Sequence, residues 1–287
     1  MRSTFASFVF AILCVLPCLP SQAEDDLSQP ALSPLDIHVQ VGAFGRAGAP
    51  DVTAVLQSAG GEIWRYCPGV QLDGIDVYRR TDHPQINFKR TASGRIAIGL
   101  STQDALWAQY SFQFAHEFCH ALSNYSDHQR VLRFPPRPNP KLWLEESLCE
   151  TASLFTLRAM SHSWATAPPF PAWKGYAPSF NAYLEVRLAM PEHHLPAGTT
   201  FSAWFRENQS ALRQNSMLRD RNTIIAIHCL PLFEAEPQGW KAVSFLNRDL
   251  AGPNESLAQH LARWQAQCPP ELRPFIRKLA AEFAVRL

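Results

Sequence analysis

The residues with the most chemistry in this chain are His116-Glu117-Phe118-Cys119-His120. Two imidazoles four apart on a helix lie on one face, about 40° of rotation and one turn of rise apart. That spacing lets both rings bind one Zn²⁺ ion. Glu117, on the flank of the same face, can reach a water activated by the ion. The chemistry this implies is metal-assisted hydrolysis, with Glu117 as general base. With 10 His and 14 Glu in 287 residues, such a pattern arises by chance roughly 0.02 times, so coincidence is a poor account of it.

A zinc ion in a hydrolytic site takes three protein ligands and keeps a fourth position open. The third ligand is expected from Trp143-Leu144-Glu145-Glu146-Ser147-Leu148-Cys149-Glu150, on a second helix packed across the first. Glu146 and Glu150 are one turn apart and point the same way, so periodicity alone does not choose between them. Glu145 points about 100° away and reads as a solvent-facing residue or a helix cap, with the ligand role as its alternative.

Taken together, the two segments resemble the gluzincin branch of zinc metallopeptidases, which includes thermolysin-like and aminopeptidase families. Their second segment often reads W-L-x-E-G-x-A, and Trp143, Leu144 and Glu146 fall on it. The resemblance implies that His116, His120 and Glu146 bind Zn²⁺. It also implies that Glu150, four residues on, accepts the free ring N–H of a ligand histidine. Ser147 stands where glycine is usual and Cys149 where a small residue is usual, so the packing of the second helix departs from the family pattern. The likeness covers His116 to Glu150 and implies a zincin-like fold acting on a peptide or protein substrate. The alternative is a binding or scaffold protein that keeps the fold without catalysis. Glu117 favours the enzyme, because a scaffold has no use for a general base beside two histidines. A hydrolase of non-peptide substrates is a third reading, since the motif encodes water activation and not the leaving group. Tyr176, Tyr183, His193 and His194 follow the motif in sequence, but none is assigned as an oxyanion donor.

The chain opens with Arg2, an apolar run from Phe5 to Leu19, and Ser21-Gln22-Ala23. This is the pattern of a secretory signal peptide cleaved after Ala23, which implies export to a periplasm or the exterior. Residues 24–34 are acidic, polar and proline-containing, and read as a disordered leader. Lys and Arg total 26 against 25 Asp and Glu, so no long-range attraction favours nucleic acid or an anionic membrane. No second stretch approaches membrane length, so stable insertion after signal cleavage is not expected. Five cysteines follow the cleavage point: Cys67, Cys119, Cys149, Cys229 and Cys268. Cys119 and Cys149 each lie three residues after an expected ligand, so a disulfide between them would clamp the two ligand helices. The alternative is two buried thiols acting as small apolar groups. Cys229 with Cys268 is the next candidate pair.

The elements that must position these groups make an α+β protein. Apolar–polar alternation marks a strand at Asp36–Val41, and further strands are expected at Gly74–Arg79, Gln85–Lys89 and Arg95–Leu100. A helix is expected over Asp51–Tyr66, weakened by Gly60-Gly61. The motif helix is expected over Ala105–Ser123 and the second ligand helix over Lys141–Met160. Residues 35–160 then form a zincin-like catalytic core with a mixed sheet behind the active helix. Arg95–Ser101 is expected to be the edge strand that accepts an extended peptide. The basic, proline-rich stretch from Asp127 to Pro140 reads as a solvated loop. Residues 161–287 read as a helical C-terminal part, with helices near Ser179–Met190, Phe201–Gln214, Asn222–Glu234, Ser256–Gln265 and Glu271–Val285. Trp204, Trp240 and Trp264 are expected in its core.

Overall fold

The computed structural model describes residues 33–126, 141–248, 252 and 254–287. The signal-peptide reading, most of the leader and the stretch from Asp127 to Pro140 lie outside the described residues. The chain is mixed α/β, mostly helical, with one small sheet. It begins with strand β1 (Ile37–Val39), helix α1 (Ala49–Trp64) and strands β2 (Ile75–Arg79), β3 (Gln85–Asn87) and β4 (Ile96–Leu100). The segments carrying His116 and His120 and Glu145, Glu146 and Glu150 follow as α2 (Trp107–Leu122) and α3 (Leu142–Thr166). The rest comprises α4 (Ala177–Ala189), α5 (Phe201–Gln214), α6 (Arg219–Ala235), α7 (Gly239–Val243), α8 (Leu257–Gln267) and α9 (Arg273–Glu282).

The strand order is β1-β2-β4-β3, with β1, β2 and β4 parallel and β3 antiparallel to β4. Every residue of β4 is buried, as an apolar strand covered on both faces requires. The edge strand beside the motif helix is therefore β3, not Arg95–Ser101. The chain after β2 folds back so that Ile86 pairs with Ile98 and closes that side of β4. Order along the chain suggested the opposite, because β4 directly precedes α2. Across the three parallel strands Arg95 binds both Asp36 and Asp76, tying their N-terminal ends together.

Helices α1 and α2 pack against each other and against the sheet. Gly60 does not interrupt α1. A Cβ there would sit 2.5 Å from Leu35 Cδ1 and 3.1 Å from Phe114 Cε1, so the glycine lets α1 approach α2 two residues before His116. Helix α3 is buried along almost its whole length, and α1, α2, α4 and α6 all pack on it. A helix covered on every side shows little amphipathic pattern. That is why its end was expected at Met160, whereas it continues to Thr166, past the boundary drawn at residue 160. One hydrophobic core runs from Leu35 to Phe283 and includes Trp204, Trp240 and Trp264. The five later helices expected from sequence are present with shifts of a few residues at their ends, and Phe201–Gln214 matches at both. Among the described residues, no helix is long and apolar enough to cross a membrane.

Candidate metal centre

Helix α2 presents His116 and His120 to the first two turns of α3, with ring centroids 5.2 Å apart. The Glu146 carboxylate lies between them. One oxygen is 3.4 Å from His116 Nε2 and the other 3.6 Å from His120 Nε2. Glu150 lies on the far side of the first ring, 3.6 Å from His116 Nδ1. That separation is an ion-pair contact, longer than an ordinary hydrogen bond. Glu150 also accepts from Arg187 Nη2 at 3.1 Å and from Thr223 Oγ1 at 3.3 Å.

Glu145 is neither solvent-facing nor a cap. It is 2% exposed, its Oε1 lies 2.7 Å from His120 Nδ1, and it accepts from Ser123 Oγ at 2.7 Å. Its Oε2 accepts from Asn247 Nδ2 at 2.9 Å. The 100° offset from Glu146 does hold, but on a helix surrounded on all sides it selects a different neighbour instead of solvent. Each ring therefore has Glu146 at Nε2 and a second carboxylate at Nδ1, an arrangement that can fix tautomer and ring orientation.

Glu117 is buried, and its Oε2 accepts the Ile86 amide N–H of β3 at 2.6 Å. The carboxylate is thus fixed at the sheet edge. Phe88, just beyond β3, meets the His120 ring edge-on at 6.5 Å.

Electrostatics follow from these contacts. Burial alone would lower the His116 pKa, but Glu146 and Glu150 more than offset it and push it up to about 10. His120 is raised too, against burial, by Glu146 and Glu145. Burial would raise Glu146, yet the two imidazoles hold it well below the usual carboxylate range. Glu150 is lowered by His116 and Arg187 despite its burial. Three buried carboxylates converge on two imidazoles, a donor set whose charge and atom types suit a divalent cation such as Zn²⁺.

Cys149 is an alternative third donor, because its sulfur and ligand atoms of His116 and His120 lie within 4.8 Å of one another, whereas Glu146 reaches the two rings through different oxygens. Burial and the neighbouring Cys119, Glu145 and Glu146 push its thiol pKa far up, whereas the Glu146 carboxylate is held ionised. The expected Cys119–Cys149 disulfide is absent. Both are free, fully buried thiols, as are Cys229 and Cys268. Cys119 and Cys149 are neighbours where α2 packs on α3, filling the contact as small apolar groups.

Three of the polar residues that follow in sequence bond elsewhere. Tyr176 Oη accepts from the Ala108 amide, His193 Nδ1 binds the Arg187 carbonyl and His194 Nε2 binds the Leu188 carbonyl. Tyr183 instead stays near the centre: it packs edge-on against Phe112, and burial together with Glu150 raises its pKa against the pull of Arg187. Sequence reasoning missed Arg187, Thr223 and Asn247, which come from remote elements and carry no local signal. Glu145 did carry one, a second carboxylate adjoining the expected ligand. A cavity of about 290 Å³ opens near the end of α2, lined by Leu122, Tyr125, Lys241 and Arg248 among others, and no residue of the candidate centre lines it. The chain matches no protein-family model, and searches of curated proteins and of solved structures also return no match.

Proposed function

We propose that this protein is an exported zinc-dependent hydrolase acting on peptides, with a zincin-like core of the gluzincin type. The observation that carries the reading is the Glu146 carboxylate lying against Nε2 of both motif histidines. His116, His120 and Glu146 would hold the ion. When bound, zinc supplies Lewis acidity that activates water and polarises a carbonyl. Glu117 takes a proton from the attacking water and passes it to the leaving amine. Its hydrogen bond to the Ile86 amide holds the carboxylate at β3, the sheet edge beside α2. Glu145 and Glu150 orient the two rings from behind. The peptide class rests on the likeness of the two segments to gluzincins. Export rests on the pattern of residues 1–23.

The test uses the chain from Glu24 onward. It should bind about one zinc, lose most of it in His116→Ala and His120→Ala, and cleave members of a mixed peptide library. Glu117→Gln should keep the zinc while hydrolysis falls at least roughly a hundredfold. Stoichiometric zinc in both histidine variants would remove the site assignment. A wild type that binds zinc but cleaves no peptide would favour the scaffold reading.

A further inference from the structure

Glu145 is a buried carboxyl group, so its orientation depends on the donors around it. Oε1 takes His120 and Ser123, and Oε2 takes Asn247 Nδ2 at 2.9 Å. The same amide nitrogen donates to the Ser123 backbone carbonyl at 3.0 Å. Both partners are acceptors, so only the NH₂ group of the amide can face them. Ser123 caps the C-terminus of α2, where carbonyls lack intrahelical donors. Asn247 therefore joins the end of the helix carrying His120 to the first turn of the helix carrying Glu145 and Glu146. It lies between α7 and α8, more than a hundred residues further along the chain. From the start of α3, Lys141 binds the Glu255 carbonyl in the same connection, so this segment holds the first turn of α3 at two places.

We infer that Asn247 is a positioning residue of the metal centre. Its amide sets the rotamer of Glu145, and Glu145 in turn sets the tautomer and angle of the His120 ring. The inference rests on the zinc reading above and extends it to the C-terminal part of the chain, which supplies none of the proposed ligands. A role in stability alone would lower the melting temperature without altering the geometry presented to the metal.

The experiment measures zinc affinity by competition with a chromophoric chelator, and the visible spectrum of the cobalt(II)-loaded protein. It uses the chain from Glu24 onward as wild type, Asn247→Ala, Asn247→Asp, Glu145→Gln and Asn247→Ala with Glu145→Gln. Asn247→Asp keeps the shape but sets a second carboxylate against Glu145, and provides a readout if the alanine variant folds poorly. Both single changes at Asn247 should weaken zinc about tenfold, the lower end of the effect of groups that orient a ligand. Both should also shift the cobalt bands. The double variant should bind no more weakly than Glu145→Gln, because Asn247 acts through Glu145. Wild-type affinity and an unchanged cobalt spectrum in the Asn247 variants would overturn this inference alone, as would a further tenfold loss in the double variant. A wild type that binds no zinc would overturn the zinc reading and this inference together.

Discussion

The two ends of the candidate centre are built differently. At His116 the carboxylate behind the ring, Glu150, stands 3.6 Å away and is shared with the Arg187 guanidinium. The His116 side chain is 20% exposed. At His120 the carboxylate behind the ring, Glu145, stands 2.7 Å away, with Ser123 and Asn247 as further donors. That side chain is 7% exposed. One ring is thus held by a looser ion-pair network within reach of solvent, the other by short hydrogen bonds in a closed setting. Hydrogen bonds fix angles, whereas an ion pair at longer range mainly fixes charge. The His120 end should therefore set the geometry of the site, and the His116 end its response to pH and salt.

Glu146 lies between the two ends, and its loss should have the largest effect. Glu146→Ala is expected to weaken zinc by more than about a hundredfold, beyond the range for groups that only orient a ligand. A zinc titration checks this. If Glu146→Ala kept its zinc while Cys149→Ala lost it, the third donor would be the thiol and Glu146 would no longer join the two ends.

The next effect separates the ends directly. Glu145→Gln and Glu150→Gln should each cost about 10–100-fold in zinc affinity, with Glu145 the more damaging because its contact with the ring is the shorter. Matched titrations in low and high salt should show salt altering the Glu150 comparison more, since its network is partly exposed. A larger loss at Glu150 would reverse the contrast.

The smallest effect is on the pH dependence of the metal-free protein. Burial would lower His116, but Glu146 and Glu150 raise it to about 10, from about 6.5 when unfolded. A raised folded pKa contributes stability that is fully present below 6.5 and lost as pH rises through 10. Glu146 is lowered in the fold, so its share is present above its unfolded value, near 4.5, and lost as pH falls further. Metal-free protein should therefore melt at a lower temperature at pH 10 than at pH 7, and His116→Gln should flatten that slope. Bound zinc needs unprotonated rings, so zinc affinity should rise with pH over the same window. Melting of the metal-free protein that is indifferent to pH between 7 and 10 would remove the charge network assigned to the His116 end.

Local periodicity reaches only as far as one element. The four-residue spacing of His116 and His120 placed both rings on one helical face because a helix repeats every 3.6 residues, and in the fold both rings meet α3. Strand positions and most helices were legible for the same reason, since alternation and helical spacing record which face is covered. The same periodicity put Glu146 and Glu150 on one face and Glu145 on another, but could not say what each face would meet. The crossing of α2 and α3 decided that, bringing Glu146 to both Nε2 atoms and enclosing Glu145. It also left Cys119 and Cys149 as packed thiols. The sheet edge was misplaced because strand order depends on pairing between distant segments, and β3 reached β4 by folding back. Arg187, Thr223 and Asn247 had no signature at all. Their roles arise from side chains on α4, on α6 and between α7 and α8 converging behind two histidines, and contacts of that kind exist only once the chain has packed.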